Sequence, residues 1–302
     1  MNGNTASFAL ARTSARVRAR ASVASSPAVA GFRPAGMALA VAAAFMGAGA
    51  ALGQPSGAQV ISGGAQLKQQ GNTLVVTTQN AAGTNRSAIN WQSFSIPAGS
   101  ATRFDQPTAQ SLSINRVLGN DPSQIYGTLS SNGRLVLVNP FGITVGAGAV
   151  VDTAGFTAST LKMSDADALA GRLRFANDGN AAPLVVSGNV ISRGGDVVLI
   201  APNVQVGSAA VIQAQGGAAV LAAGQTVEIT GRGLEGIVMQ VQAPQDEAVN
   251  LGTLKGDAVG IFAGTLKHSG LIQAQSATLE GGKVVLKALA KAEVTAGARI
   301  QA

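Results

Sequence analysis

The chain of 302 residues contains 39 Gly, 46% hydrophobic and 12% charged residues, one His, no Cys and a formal charge of +7. Without Cys there is no disulfide framework, zinc-thiolate site, iron–sulfur cluster or cysteine nucleophile, and a single imidazole cannot build a histidine metal cluster. Low charge beside abundant apolar residues also excludes a disordered chain, which needs the reverse.

The first element is a targeting segment. Residues 1–53 hold Arg12, Arg16, Arg18, Arg20 and Arg33 and no acid, and 37–52 is an uncharged run of 16 residues. A basic stretch followed by an apolar run shorter than the roughly 20 residues of a bilayer span reads as a signal peptide, with no stable membrane span left in the mature chain. The small residues Ala51 and Gly53 set the expected cleavage between Gly53 and Gln54. An uncleaved anchor and an Arg/Ser-rich organelle transit peptide are the alternatives; the transit peptide explains the arginines but not the apolar run. Beyond residue 53 remain 16 basic and 14 acidic residues, a charge of +2, so no nucleic-acid partner is expected.

From Gly57 onward, short runs of Val, Ile, Leu and Thr alternate with Gly, Asn, Ser and Pro, as in Leu135-Val136-Leu137-Val138 and Val197-Val198-Leu199-Ile200. Such runs predict many short strands with tight turns. One stretch, 164–170, reads as a helix capped by Ser164 or Asp165. The second half repeats itself: 190–199 aligns with 212–221 at an offset of 22, and Ile-Gln-Ala-Gln occurs at 212–215 and 272–275. The 60 residues between the two quartets read as about three such periods, and Ile300-Gln301-Ala302 starts the quartet again. A period near 20 with several strands per unit and Gly at the corners predicts an all-β fold, a right-handed parallel β-helix with short capping strands and one short helix. At that period 57–302 would make roughly 12 coils and a rod of about 55 Å.

Chemistry is sparse. The carboxylates that could serve a β-helical polysaccharide-degrading enzyme are Asp121, Asp165 with Asp167, and Asp246 with Glu247. Capping explains the second pair, and a solvated loop the third. His268, beside Lys267 and Ser269, reads as an exposed turn residue. Lys283, Lys287 and Lys291, four residues apart, read as turn charges or a short basic helix. No catalytic, cofactor or metal site is assigned.

The region 88–160 carries the specific motifs: Asn90-Trp91 with Phe94, Phe104 with Gln106-Pro107, Asn115-Arg116-Val117, Ser123-x-Ile125-x-Gly127-x-Leu129, Asn132-Gly133, and Asn139-Pro140-Phe141-Gly142-Ile143. Physically, Asn139-Pro140-Phe141-Gly142 is a turn in which Pro sets φ and Asn139 bonds its own backbone. Asn132-Gly133 is a second turn, where Gly makes φ > 0 cheap. Trp91, Phe94 and Phe104 would cover the open end of the coil. In order and spacing these pieces closely resemble the N-terminal two-partner secretion domain of filamentous-haemagglutinin-type exoproteins. The family's usual Asn-Pro-Asn-Gly has Phe141 at its third position here.

The resemblance implies a secretion domain at 54–230, further coils at 231–302 that stop in mid-repeat, and a secretion motif made of Asn115, Arg116, Val117, Asn132, Gly133, Asn139, Pro140, Gly142 and Ile143. It implies an outer-membrane pore partner with periplasmic domains, transit of the unfolded chain through the periplasm, an extracellular or cell-surface destination and an adhesin or haemagglutinin role with a host-cell or surface receptor. A truncated, non-functional remnant of a larger exoprotein is the other expectation. No cofactor follows from the resemblance.

Overall fold

The computed structural model describes residues 53–241, 243–275 and 282–302, so the expected signal segment, apart from Gly53, lies outside the described residues. The chain winds as a parallel β-helix whose coils visit three faces in turn. On the first face, Thr73–Gln79, Ala101–Asp105, Thr128–Ser131, Val150–Thr153, Asn189–Ser192, the starts of Val211–Ala223 and Thr253–His268, Leu271–Ala274 and Arg299–Gln301 stack in parallel register. The second face stacks Arg86–Trp91, Leu112–Val117, Arg134–Val138, Gly155–Ser159, Val197–Ala201 and parts of the three long strands that end the chain. The third begins at Ser123–Ile125 and Ile143–Val145 and continues through Leu184–Val186, Asn203–Val206 and Glu247–Asn250.

The first face holds nine strands among the described residues, not the 12 expected from an even period. At about 4.8 Å per step the rod is about 38 Å long rather than 55 Å. Coil length is uneven because two excursions leave the end of the second face and return at the third. The step from Thr128 to Val150 is 22 residues and that from Asn189 to Val211 is 22, but Val150 to Asn189 takes 39 and Val211 to Thr253 takes 42. The offset of 22 between 190–199 and 212–221 is thus the true stacking register, with Val190 beside Ile212 and Leu199 beside Leu221. Ile212 and Ile272 are two coils apart, not three, because Leu254 is the one rung between them.

The excursions carry a helix, α1 (Asp165–Ala170), and the strand Leu173–Ala176, which pairs antiparallel with Thr226–Ile229, itself paired with Ile237–Val241. Ser164 caps α1 by accepting from Asp167 N at 3.0 Å, and Gly171 closes it at φ 67°. Together these elements cover the outside of the second face. That is why Val197–Ala201 is apolar at every position: Val197 and Leu199 fill the coil interior, while Val198 and Ile200 join a second core with Ile114, Val136, Phe175 and Val227. At the N-terminal end, Gly64–Gln70 pairs antiparallel with Thr73–Gln79 and Gln59–Ser62 with Arg86–Trp91, so the first coil's open edges are covered by the chain itself.

Three expectations about single residues are overturned. His268 is fully buried at the end of Thr253–His268, because its position in the ladder faces the coil interior rather than a turn. Asp246 is buried too: its carboxylate accepts from Ala243 N at 2.6 Å and from Gln225 Nε2, so only Glu247 of that pair sits at the surface, paired with Lys267 at 2.9 Å. Lys283, Lys287 and Lys291 lie neither in turns nor in a helix but along the strand Lys283–Val294, whose pairing with Thr253–His268 overrides their helical spacing.

Candidate functional site

The motif residues gather on the first coils. Trp91, Phe94 and Phe104 are buried together, Trp91 meeting Phe94 edge-to-face at 5.5 Å and Phe94 stacking on Phe104 at 6.4 Å. They fill the N-terminal end of the interior, as expected of a cap. The indole N–H donates to Asn115 Oδ1 at 3.0 Å, and Asn115 Nδ2 donates to Ser113 O and Ser113 Oγ at 3.1 and 3.2 Å. Strand alternation turns Asn115 and Val117 inward and Arg116 outward into the second core. Arg116 is only 3% exposed, yet every donor nitrogen is used. Nε and Nη2 donate to Asn90 Oδ1 at 3.1 and 2.9 Å, Nη1 to Met163 O at 3.0 Å, and Nη2 to Asp165 Oδ1 at 2.5 Å. One side chain therefore ties two successive rungs to the start of α1.

Asn132 reaches the preceding coil with both ends of its amide: Oδ1 accepts from Gln106 N at 2.7 Å and Nδ2 donates to Gln106 O at 2.8 Å. The Gln106 side chain crosses back over Gly133 to donate to Ser131 Oγ and Arg134 O at 3.0 and 2.9 Å. Gly133 is not in the left-handed region, contrary to the turn reading. What favours Gly there is space, since a Cβ would lie 2.6 Å from Gln106 Cδ and would push the bridging amide aside. The next turn is as expected. Asn139 Oδ1 accepts from Phe141 N at 3.0 Å, Gly142 N donates to Asn139 O at 3.1 Å, and Gly142 takes φ 117°. Asn139 Nδ2 also donates to Asp121 O and Ser123 Oγ at 3.0 and 2.9 Å, Pro140 O accepts from Ala182 N at 2.9 Å, and Ile143 is buried in the core.

Asparagines that bond from coil to coil, on a three-faced parallel coil with a self-covered N-terminal edge, form a distinctive combination. The TPS secretion domain family matches residues 51–301. The chain belongs to the TPS secretion domain family. The solved HMW1 secretion domain of Haemophilus influenzae superposes with a TM-score of 0.72 at 32% identity, covering 79% of this chain and 64% of that one. The filamentous haemagglutinin secretion domain gives a TM-score of 0.47 at 15% identity, covering 82% of this chain and 99% of that one. Among curated proteins, a heme/hemopexin-binding protein of Haemophilus influenzae is 37% identical over 106 residues, which is 35% of this chain and 11% of that protein. The matched segment is thus about a tenth of that relative's length.

A TPS secretion domain serves export of an exoprotein with an outer-membrane partner, and the family is not one of enzymes. Asp165 and Asp167 have structural partners: Asp165 that of Arg116, Asp167 those of Ser164 and Arg172. The Ser164 hydroxyl, aided by Arg172 and opposed by slight burial, holds the Asp167 carboxyl below its ordinary range. No helix among the described residues is long and apolar enough to cross a membrane. Asn115, Arg116 and Asn139 are 2%, 3% and 0% exposed, so in the folded domain these three are not presented outward, whereas Asn132 lies at the surface. The exposed apolar side chains near it are Leu118, Tyr126 and Phe141. Sequence reasoning passed over Asn90, Gln106 as a coil bridge, and the Arg116 to Asp165 contact. Asn90 and Gln106 stood in the motif, and 26 residues separate each from its partner, Arg116 or Asn132, which is one coil.

Proposed function

We propose that residues 54–230 carry the export information of a secreted exoprotein, that 231–302 lengthen the rod, and that Asn115, Arg116, Asn132 and Asn139 act as the nucleus on which the coil forms after passage through the outer-membrane pore. The observation that carries this is the direction of their hydrogen bonds, each reaching the rung before it or the excursion packed on it. Asn115, Arg116 and Asn139, being buried in the folded coil, are readable by a pore's periplasmic domains only while the chain is extended. The motif then serves twice: as an extended signal in the periplasm and as the first closed coils outside. Cleavage between Gly53 and Gln54 would leave Gln54 tethered, its Nε2 donating to Asn72 O at 2.9 Å. Absence of Cys suits this route, because no disulfide can form in the periplasm to obstruct threading.

The test is secretion of the chain with and without a two-partner pore, for the parent and for Asn115→Ala and Asn139→Ala. Expected are protein in the medium only when the pore is present, and loss of most of it in both variants. Equal appearance without any pore would overturn the reading. We further propose an adhesive role outside the cell, supported by the resemblance to filamentous-haemagglutinin-type exoproteins and by the stacked parallel coil, with binding to a surface or host-cell receptor as its measurement.

A further inference from the structure

We propose that a groove on the outside of the second face binds a short carboxylated sugar chain of the uronate class. The groove has a volume of about 490 Å³, within the range of small-molecule sites, and runs along the rod from Gln110 across several rungs to Gly231. Its charged lining is Arg134, Arg193, Arg232 and Asp196. Arg193 is neutralised by Asp152, with two contacts of 2.6 Å. Among the described residues, Arg134 and Arg232 have no carboxylate partner. Arg134 makes one hydrogen bond, Nη2 to Gln110 O at 2.8 Å, and its shielded Nε meets no acceptor. Arg232 spends Nη2 alone, on Gly194 O and Gly216 O at 3.0 and 2.6 Å. Asp196 offsets one of these charges, but its oxygens accept from Ala218 N at 2.8 Å and Gly233 N at 3.0 Å, and it forms no ion pair with either guanidinium. The groove thus keeps an excess of guanidinium donors with the bidentate geometry suited to carboxylates.

The register sets the spacing. Gly155 stacks on Arg134, and Asp196 follows on the next rung, so Arg134 and the Arg193 turn are two rungs apart, about 10 Å. Gly194 O holds the Arg232 guanidinium at that turn, so a chain bearing carboxylates on successive or alternate units meets Arg134 and Arg232 at once. The neutral lining adds the exposed side-chain amide of Gln110, of the kind that pairs sugar hydroxyls. A peptide is less suited. The floor strands Arg134–Val138, Gly155–Ser159 and Val197–Ala201 are paired on both sides, so no edge is free to take an added strand.

This inference gives the proposed adhesive role a ligand class and rests on that role only for its use. Binding is measured on the purified full chain, so failed export and failed binding are read separately. In calorimetric titration, a short oligogalacturonate is expected to bind, and a neutral cello-oligosaccharide of equal length is not. Arg134→Gln and Arg232→Gln should each weaken binding at least about tenfold, and added salt should weaken it further. Gly194→Glu supplies the control for folding. Its Cβ would have no neighbour within 4 Å, so it leaves the unfolding midpoint unchanged while abolishing binding. Failure of oligogalacturonate to bind, equal binding of the neutral sugar, or parent-like affinity in Gly194→Glu would overturn the proposal. Tighter binding of a glutamate oligopeptide would overturn it in favour of an acidic protein segment.

Discussion

Arg116→Ala isolates what holds the first coils to the outer layer. In the native domain the Arg116 side chain is 4% exposed, whereas that of its carboxylate partner Asp165 is 84% exposed. Removing the guanidinium strands Asn90 Oδ1, which loses both of its donors in a residue only 7% exposed, and also takes the Nη1 donor from Met163 O. Each buried acceptor left without its donor costs about 1–3 kcal/mol. Loss of the packed stem adds to this, so a total of about 3–5 kcal/mol is expected. Asp165→Asn removes the same ion pair from its wet side, where the carboxylate returns to water, and should cost about 0.5 kcal/mol. Urea unfolding of the purified chain, followed by tryptophan fluorescence, measures both, because the single Trp91 reports from the neighbouring rung. The midpoint should fall sharply for Arg116→Ala and barely for Asp165→Asn, at unchanged denaturant slope. Equal losses in the two variants would refute the reasoning, since the ion pair rather than the buried acceptors would then carry the energy.

Gly127→Ala should destabilise by about 3 kcal/mol or more, because a Cβ there would overlap the backbone carbonyls of Ser100 and Pro97, which cannot rotate away; a thermal melt within a degree or two of the parent would contradict this. His268 should make the fold acid-sensitive. Asn250 Oδ1 accepts from Gly252 N at 3.1 Å, which aims Nδ2 as donor to His268 Nδ1 at 3.2 Å and leaves the ring proton on the buried Nε2. Burial lowers the imidazole's pKa from its ordinary 6.5, so the folded state binds fewer protons than the unfolded state. Stability is then full above about 6.5 and declines as pH falls below it. Nearby, the hydrogen bond from Lys291 lowers the Glu293 carboxyl and that to Glu247 raises Lys267, so neither Glu293 nor Lys267 titrates in that window. A fall in Tm between pH 7.5 and pH 5 that disappears in His268→Gln is the expected result, and a fall of equal size in both would contradict it. Trp91→Phe keeps the ring but removes the donor to Asn115 Oδ1, and circular dichroism melts should report a loss of about 1–2 kcal/mol.

The class of fold was legible in the chain itself. Short β-branched runs with Gly and Asn corners pointed to an all-β chain, and the repeat separated a β-helix from a sandwich: the 22-residue offset between 190–199 and 212–221 is the stacking register. The aromatic plug, the Ser164 cap and the Asn139 turn could be read because each depends on chemistry local to a few residues. Coil number could not, because the insertions at 160–183 and 224–246 look like two more coils until one sees them pair with each other on the outside of the second face. The same cause hid the fates of His268, Asp246 and Arg116. Whether a polar residue lies in a turn, inside the coil or under an outer layer depends on which rung it stacks against, and residues 18 to 49 apart decide that. The sequence by itself determined the strand-and-turn texture, the family resemblance and the small net charge beyond residue 53, all of which are properties of composition and local order. Only the tertiary structure decided which asparagines bridge coils, that Gly133 is favoured for space and not for dihedral freedom, and that unpaired arginines line a groove. Those outcomes come from the register between rungs and from the excursions packed across them.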